Sequence, residues 1–457
     1  MSRPLIKSAV AIPVSRDATG ALVCFVGRRH PKSRFLGGFF AFPGGVIEPA
    51  DGDLESADEQ EVLARTASRE LAEETGLVIA PEALLPAGWR ETPPFGPRRF
   101  DTKMFLAPFE RPVEPGPVES SELIDLAWAE PGALFERWRR LEIRVAPPLV
   151  PMLRRLAEDS SGDPVSIAAR LRDVNVERPE QGPRIEFVPD VHMVLLRTAT
   201  LPPATHTNCY LLGARDFLVI DPGASDSGEL ARLERQIEAR RAEGGVPHAV
   251  LVTHHHSDHT GGVSFVAERW QLPVWAHGET FARGAGAKRG RELADGERIE
   301  LSGGERLRIL HTPGHAAGHV AVLEETRGSL FAGDLVSGVS TILVDTASGS
   351  LDLYLDSLRR LADCSARTLF PGHGPPLLDP PRAIAKLLEH RAAREAAILA
   401  AVEAGEESLS SISRRAYADT PGADPGLARR QAEAHLDRLE RLGRVLRTER
   451  GWRAAGA

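Results

Sequence analysis

The sequence predicts a multidomain α/β protein, and three observations carry that expectation. Its 457 residues are more than one hydrophobic core usually organises. Apolar, strand-like runs alternate with helical stretches over most of its length, and several runs end in clusters of Gly, Asp or His. After Pro380 the pattern changes to helices rich in Ala, Leu and Arg, closed by a short hairpin-like segment.

Hydrophobic residues make up 42% and charged residues 26%, the balance of a soluble protein. A net charge of −8 argues against a nucleic-acid-binding surface over the whole molecule and leaves room for a local basic patch. The three cysteines, Cys24, Cys209 and Cys364, follow no paired metal spacing and indicate a reducing compartment rather than a disulfide framework. The amino terminus reads as a first strand, not a signal peptide, and no run reaches the roughly 18 apolar residues of a membrane span. A cytoplasmic location is the expectation.

In the amino-terminal part, strands are expected over 9–14 and 22–27, followed by Phe42-Pro43-Gly44-Gly45-Val46-Ile47-Glu48. A helix then ends in Ala67-Ser68-Arg69-Glu70-Leu71-Ala72-Glu73-Glu74-Thr75-Gly76-Leu77, with Gly76 as its cap. Glu70, Glu73 and Glu74 share one helix face. Taken alone they are a solvated charged face; with Mg²⁺ or Mn²⁺ they become an oxygen-rich site that grips phosphates. Together with the Gly-Gly turn they resemble the Nudix box, whose hydrolases split nucleoside diphosphates linked to another group. That resemblance implies an α/β/α sandwich. Gly45 and Arg69 are separated by 23 residues, ten more than in the family pattern. The upstream acidic position is therefore open between Glu48 and Glu61. The run from Arg29 through Arg34 and Gly38 to Gly45 resembles the extended motif of coenzyme A diphosphatases within the family, which makes Arg29 and Arg34 candidate phosphate clamps. A nucleotide-binding module without catalysis is the other reading. Beyond it, a strand over 99–106, helices over 131–141 and 147–156, and a linker over 159–183 set the first boundary near residue 183.

The apolar run 248–252 reads as a buried strand feeding a loop that carries His254, His256, Asp258 and His259. Imidazoles and a carboxylate this close together suit zinc. His-x-His-x-Asp-His resembles the signature of the metallo-β-lactamase superfamily. His315 in His311-Thr312-Pro313-Gly314-His315, Asp334 in Phe331-Ala332-Gly333-Asp334, and His373 in Phe370-Pro371-Gly372-His373-Gly374 follow in the family's order. The resemblance implies an αββα sandwich with one zinc held by His254, His256 and His315, a second by Asp258, His259 and His373, and Asp334 bridging them. Two ions roughly 3.5–4 Å apart share a hydroxide and stabilise attacking and leaving oxygens. The resemblance further implies Asp258 and His259 as catalytic residues, with Asp258 holding or receiving the hydroxide's proton. Asp221 reads equally as a turn residue before Pro222-Gly223 and as a group orienting a ligand histidine. His255, His311 and His319 read as packing or supporting groups. Strands are expected over 191–197, 208–212, 217–220 and 274–276, with a helix over 229–243, and 205–210 is expected to line the substrate groove.

The tail, with helices over 383–404, 409–418 and 427–442 and a hairpin over 443–453, reads as a winged helix. Residues 381–457 hold 14 Lys or Arg against 11 Asp or Glu, a net of +3 that leaves −11 on the rest. Arg429, Arg430, Arg438, Arg441, Arg444, Arg447 and Arg450 are candidate phosphate contacts; a packing or homodimer module is the other reading. Residues 185–457 resemble lactamase-like hydrolases with such a tail, a group that includes an animal mitochondrial endoribonuclease acting on single-stranded RNA. The core motifs are also similar to glyoxalase II thioesterases. The expected organisation is 1–183, 184–380 and 381–457: a Nudix-like domain, a dinuclear hydrolase and a winged helix. Single-stranded RNA is the leading substrate class, and an acyl-coenzyme A or glutathione-type thioester is the alternative.

Overall fold

Strand Leu5–Arg16 organises the first unit because both of its faces are buried, as period-two alternation requires of a central strand. It pairs in parallel with Arg99–Pro108 and antiparallel with Leu22–Arg29 and Gly44–Val46. Ala9 and Ala11 face helix Glu59–Thr75 through Leu63, Ala67 and Leu71. Ile12 and Val14 face the opposite layer, where Trp138, Met152 and Leu153 come from helices Pro131–Arg139 and Leu149–Glu158. The result is an α/β/α sandwich, and each fully buried Leu contributes about 1.5–3 kcal/mol to it. The computed structural model describes residues 5–33, 36–55, 58–95, 98–118, 122–158, 160–175, 185–284 and 290–456. It divides into two units, Met1–His192 and Met193–Ala457.

One expectation fails here. The stretch read as a linker contains helix Pro164–Asn175, whose Ile167, Ala168 and Leu171 are buried in the same core. The Pro, Gly and Glu residues around it hid this short apolar stripe. The boundary expected near 183 lies outside the described residues.

The second unit is built on two sheets. In one, strands Arg291–Glu292, Val274–Ala276, Val246–Leu251, Asp216–Ile220, His206–Leu212 and Val191–Arg197 follow one another; in the other, Arg298–Glu300, Arg306–His311, Val320–Glu324, Ser329–Gly333 and Thr368–Pro371 do. Tyr210 packs edge-on against Phe331 and Phe370, so an aromatic cluster joins the facing sheets. Helices Ser227–Ala242 and Leu351–Ala362 are among those covering the outer faces. Helices Pro380–Glu403, Leu409–Ala416 and Pro425–Arg441, with the hairpin Val445–Thr448 and Gly451–Ala454, share a core of Ile398, Ile412, Leu436, Val445 and Trp452 within this unit. Among the described residues, no helix is long and apolar enough to cross a membrane.

Candidate metal centre

Strand ends deliver the polar residues of the second unit. Val246–Leu251 runs into the His254 loop, Arg306–His311 leads to His315, Ser329–Gly333 to Asp334, and Thr368–Pro371 to His373. Strand carboxyl ends are where α/β folds gather ligand-binding loops. Asp258 and His259 lie on the single turn Ser257–Thr260. That turn packs on Gly223, where a Cβ would stand 1.7 Å from the Asp258 carbonyl oxygen, so only glycine admits the approach.

The residues expected as ligands come together in three overlapping groups. His254, His256 and His315 each place one nitrogen within 4.8 Å of the others, as do the donor atoms of Asp258, His259 and His373, and those of His254, His259 and Asp334. Nδ1 of His256 is 2.9 Å from Nε2 of His315. Asp334 Oδ1 lies 3.3 Å from Nε2 of both His259 and His373, and its Oδ2 is 3.7 Å from His315 Nε2.

Hydrogen bonds fix the direction of each ring. His315 Nδ1 donates to the Leu343 carbonyl at 2.9 Å, His373 Nδ1 to the His206 carbonyl at 2.8 Å, and His259 Nδ1 to Asp221 Oδ2 at 2.8 Å. Each Nε2 is thereby directed inward. Asp221 also accepts from the Thr253 N–H and hydroxyl at 2.7 and 2.6 Å, while holding φ at 50°, a strained value that these bonds stabilise. Of its two readings, the orienting one is the observed geometry. His319, fully buried, accepts the Asp334 N–H at 3.2 Å and so supports that residue's backbone. His311 bonds the Ala317 carbonyl and stacks on His277, away from the three groups.

Electrostatics divide the histidines. Burial pushes His254 and His315 down and His256 to about 3, so these rings are neutral, the form that binds a metal. Burial also acts on His259 and His373, but the Asp334 carboxylate, joined at His259 by Asp221 and Asp258, outweighs it and holds both above the ordinary value. Asp334 is buried, which opposes its charge, yet His373 and His259 keep it well below the carboxylate range.

The donor set passes a direct test of fit. His254 Nε2, His259 Nε2 and Asp334 Oδ1 are buried without a hydrogen bond. Such atoms are rare in folded proteins, and a cation among them satisfies all three.

Sequence reasoning missed how the His373 loop is held. Asn208 Nδ2 donates to the carbonyls of Pro371 and Gly374 at 2.9 and 2.8 Å, and the Tyr210 hydroxyl donates to Pro371 at 2.6 Å. Both are buried, so these two residues brace the loop instead of lining a groove.

The first unit carries a second acidic cluster. Helix Glu59–Thr75 starts at Asp58, whose carboxylate caps the Gln60 and Glu61 N–H groups, and ends at Gly76 with φ 71°. Glu74 is buried, accepts the Gly44 N–H at 2.9 Å, and is pushed up to about 8 by burial. Glu70 closes on Gly45, where a Cβ would lie 2.2 Å from its carboxylate oxygen. Arg69 bridges Glu70 and Glu73 at 3.0 and 2.9 Å.

Glu61 lies 3.9 Å from Arg65, whereas Asp51, which the sequence reading did not single out, is 3% exposed and receives Arg69 Nε and Nη2, each at 2.9 Å. Counting back from Arg69 missed it because the extra residues fall between Asp51 and Arg69, partly within the helix itself. The Arg29 charge acts on Glu74 and its guanidinium is 3.9 Å from Glu122; Arg34 lies outside the described residues.

In the tail, Arg430 pairs closely with Asp345, Arg438 and Arg441 with Asp352 at 3.0 and 2.6 Å, and Arg447 with Asp437 at 2.8 Å. Arg429, Arg444 and Arg450 are exposed.

Known proteins resemble this chain in sequence and in fold. Residues 202–373 match the metallo-β-lactamase superfamily profile, and residues 5–155 match the NUDIX domain profile. A β-lactamase-like protein 2 homolog from Drosophila melanogaster is 31% identical over 254 residues, covering 52% of this chain and 84% of the relative. Thioesterase pkgB of Emericella nidulans is 33% identical over 207 residues, covering 45% and 56%. The crystal structure of a metallo-β-lactamase family protein from Thermus thermophilus superposes with a TM-score of 0.51 at 28% identity, over 59% of this chain and 99% of that protein. For that thioesterase and two fungal lactamase-like proteins, the chain spans 56–65% of the relative's own length.

Proposed function

The chain belongs to the metallo-β-lactamase superfamily and carries a Nudix domain ahead of that fold, and from this premise we propose that its second unit hydrolyses acyl thioesters. Both families point to a hydrolase. The observation that carries the reading is Asp334, with one oxygen 3.3 Å from both His259 and His373 and the other 3.7 Å from His315. A single carboxylate thus faces two donor sets.

Mixed imidazole and carboxylate donors suit zinc: His254, His256 and His315 would hold one ion, Asp258, His259 and His373 would hold a second, and Asp334 would serve both sets. When bound, such a pair lowers the pKa of water and stabilises charge developing on an attacked carbonyl oxygen. The protein's own part is positional and protonic. Asp258, half-buried at the turn, takes the proton of the attacking water as the C–O bond forms and passes it to the departing sulfur as the C–S bond breaks. His259, held by Asp221, fixes the carboxylate's surroundings.

Two observations favour a thioester over RNA. A thioesterase is among the relatives. Four of the seven tail arginines expected to meet phosphates are paired with aspartates of their own unit. The tail's three helices and hairpin are read as a winged helix that packs on the hydrolase. The Nudix domain is read as a Mg²⁺- or Mn²⁺-dependent diphosphatase for a nucleoside diphosphate or coenzyme A derivative, using Glu70, Glu73 and Glu74 with Arg29 and Arg34.

The test is thiol release from acyl-coenzyme A and acyl-glutathione beside cleavage of single-stranded RNA, for metal-replete wild type and His256→Ala. Thiol release lost in the variant supports the thioesterase. RNA cleavage lost in the variant, without thiol release by the wild type, replaces it with a nuclease.

A further inference from the structure

We propose that helix Pro425–Arg441 is a positioning element for the donor set His254, His256 and His315, acting through residues 342–345 on the His315 ring. The proposal rests on the reading of His315 as a metal ligand. On the side away from the donor set, that ring is held through Nδ1, which donates to the Leu343 carbonyl at 2.9 Å. Leu343 lies in a stretch with no strand or helix of its own, so no backbone ladder fixes its carbonyl.

What fixes it comes from the tail. The Val344 N–H donates to Gln431 Oε1 at 3.2 Å, with both residues buried. The Arg391 guanidinium, on helix Pro380–Glu403, donates to the Ile342 carbonyl. Arg430 Nε donates to Asp345 Oδ2 at 2.9 Å. Three residues around Leu343 are therefore tied to helices that begin after the last ligand. The stretch also closes on the His315 loop itself: Ser350 N–H donates to the Gly314 carbonyl at 2.8 Å, and a Cβ on Gly349 would stand 2.0 Å from that oxygen.

The other donor set takes its side-chain supports from earlier in the chain. His259 is held by Asp221, and His373 by the His206 carbonyl, with Asn208 and Tyr210 bracing its loop. All of those supports precede the tail. Loss of the tail's grip therefore weakens one ion and spares the other, whereas general loosening of the fold weakens both.

The experiment is a cobalt(II) titration of the full-length, metal-stripped protein followed by visible absorption. Wild type is expected to bind in two steps. Gln431→Met removes the acceptor and leaves the Val344 N–H unpaired; it is expected to weaken one step about tenfold and leave the other in place, as supports behind metal ligands do. Gln431→Glu retains an acceptor oxygen and restores the step. Arg430→Met, at an exposed position, weakens the same step to a smaller extent, and decides the matter if Gln431→Met does not fold. Unchanged binding in these variants, or equal weakening of both steps, overturns the proposal. His315→Ala separates the two readings: if it keeps both steps, the ligand assignment fails, and if it loses one while Gln431→Met loses nothing, only the positioning role fails.

Discussion

Asp221 Oδ2 stands 2.8 Å from His259 Nδ1, and the same carboxylate holds the N–H and hydroxyl of Thr253, the residue that opens the histidine loop. One side chain thus sets both a ring direction and the path of the backbone. Asp221→Asn keeps a residue that tolerates φ near 50° but offers the ring an amide in place of a carboxylate. Metal affinity at the Asp258, His259 and His373 set is expected to fall about 10–100-fold, measured by metal content after dialysis against graded chelator. Full retention of two equivalents by the variant would rule out the orienting role.

His256→Ala removes a nitrogen 2.9 Å from His315 Nε2. The variant is expected to lose at least one metal equivalent and more than about a hundredfold in turnover. Metal analysis and rate are to be measured on the same preparation. A variant stripped of metal yet fully active would sink the mechanism.

Asp51 supplies a pH dependence with a defined sign. Burial opposes its charge, but Arg69, the Glu48 N–H and Thr66 outweigh that and hold its pKa below the ordinary carboxylate value of 3.8. A lowered carboxyl pKa stabilises the fold above the unfolded value, and that contribution disappears as pH falls through the folded one. Asp51→Asn is expected to cost about 1.5–3 kcal/mol at pH 7, since it removes a buried carboxylate that accepts two bonds from the Arg69 guanidinium. Urea unfolding at pH 7 and again below pH 4 should find the gap between wild type and variant narrowing in acid. An equal gap at both would disprove the linkage.

Glu73→Gln together with Glu74→Gln tests the Nudix domain. With Mg²⁺ and a coenzyme A or nucleoside diphosphate substrate, wild-type diphosphatase activity is expected to vanish in the double variant. Nucleotide binding without turnover in either protein would instead make the domain a regulator. Gly45→Ala places a methyl 2.2 Å from the Glu70 oxygen and displaces that carboxylate. It should lower the Mg²⁺-dependent rate while leaving the melting temperature within a few degrees.

The ligand loop was readable from sequence because its donors are neighbours in the chain: His254, His256, Asp258 and His259 directly after a buried strand are too dense a set for an ordinary solvated loop. The later ligands were readable only by resemblance, since nothing local in Gly372-His373-Gly374 speaks of metal. Asn208 and Tyr210 were misjudged because their partners stand more than 160 residues away. Asp51 was missed for a different reason: an ion pair is a relation in space, and a count back from Arg69 could not see that the insertion falls between the two partners. Helix Pro164–Asn175 was lost among Pro, Gly and Glu, although three buried apolar residues pin it to the core.

Asp51 and the helix cap Asp58 are separated by six residues in the part of the first unit where the chain is longer than the family pattern. Both ends are clamped, one by Arg69 and the other by capped N–H groups. Closing such a loop costs entropy that grows only with the logarithm of its length, about 0.6 kcal/mol for each doubling. The acidic face of the helix is therefore insulated from the length of chain that joins these two anchors.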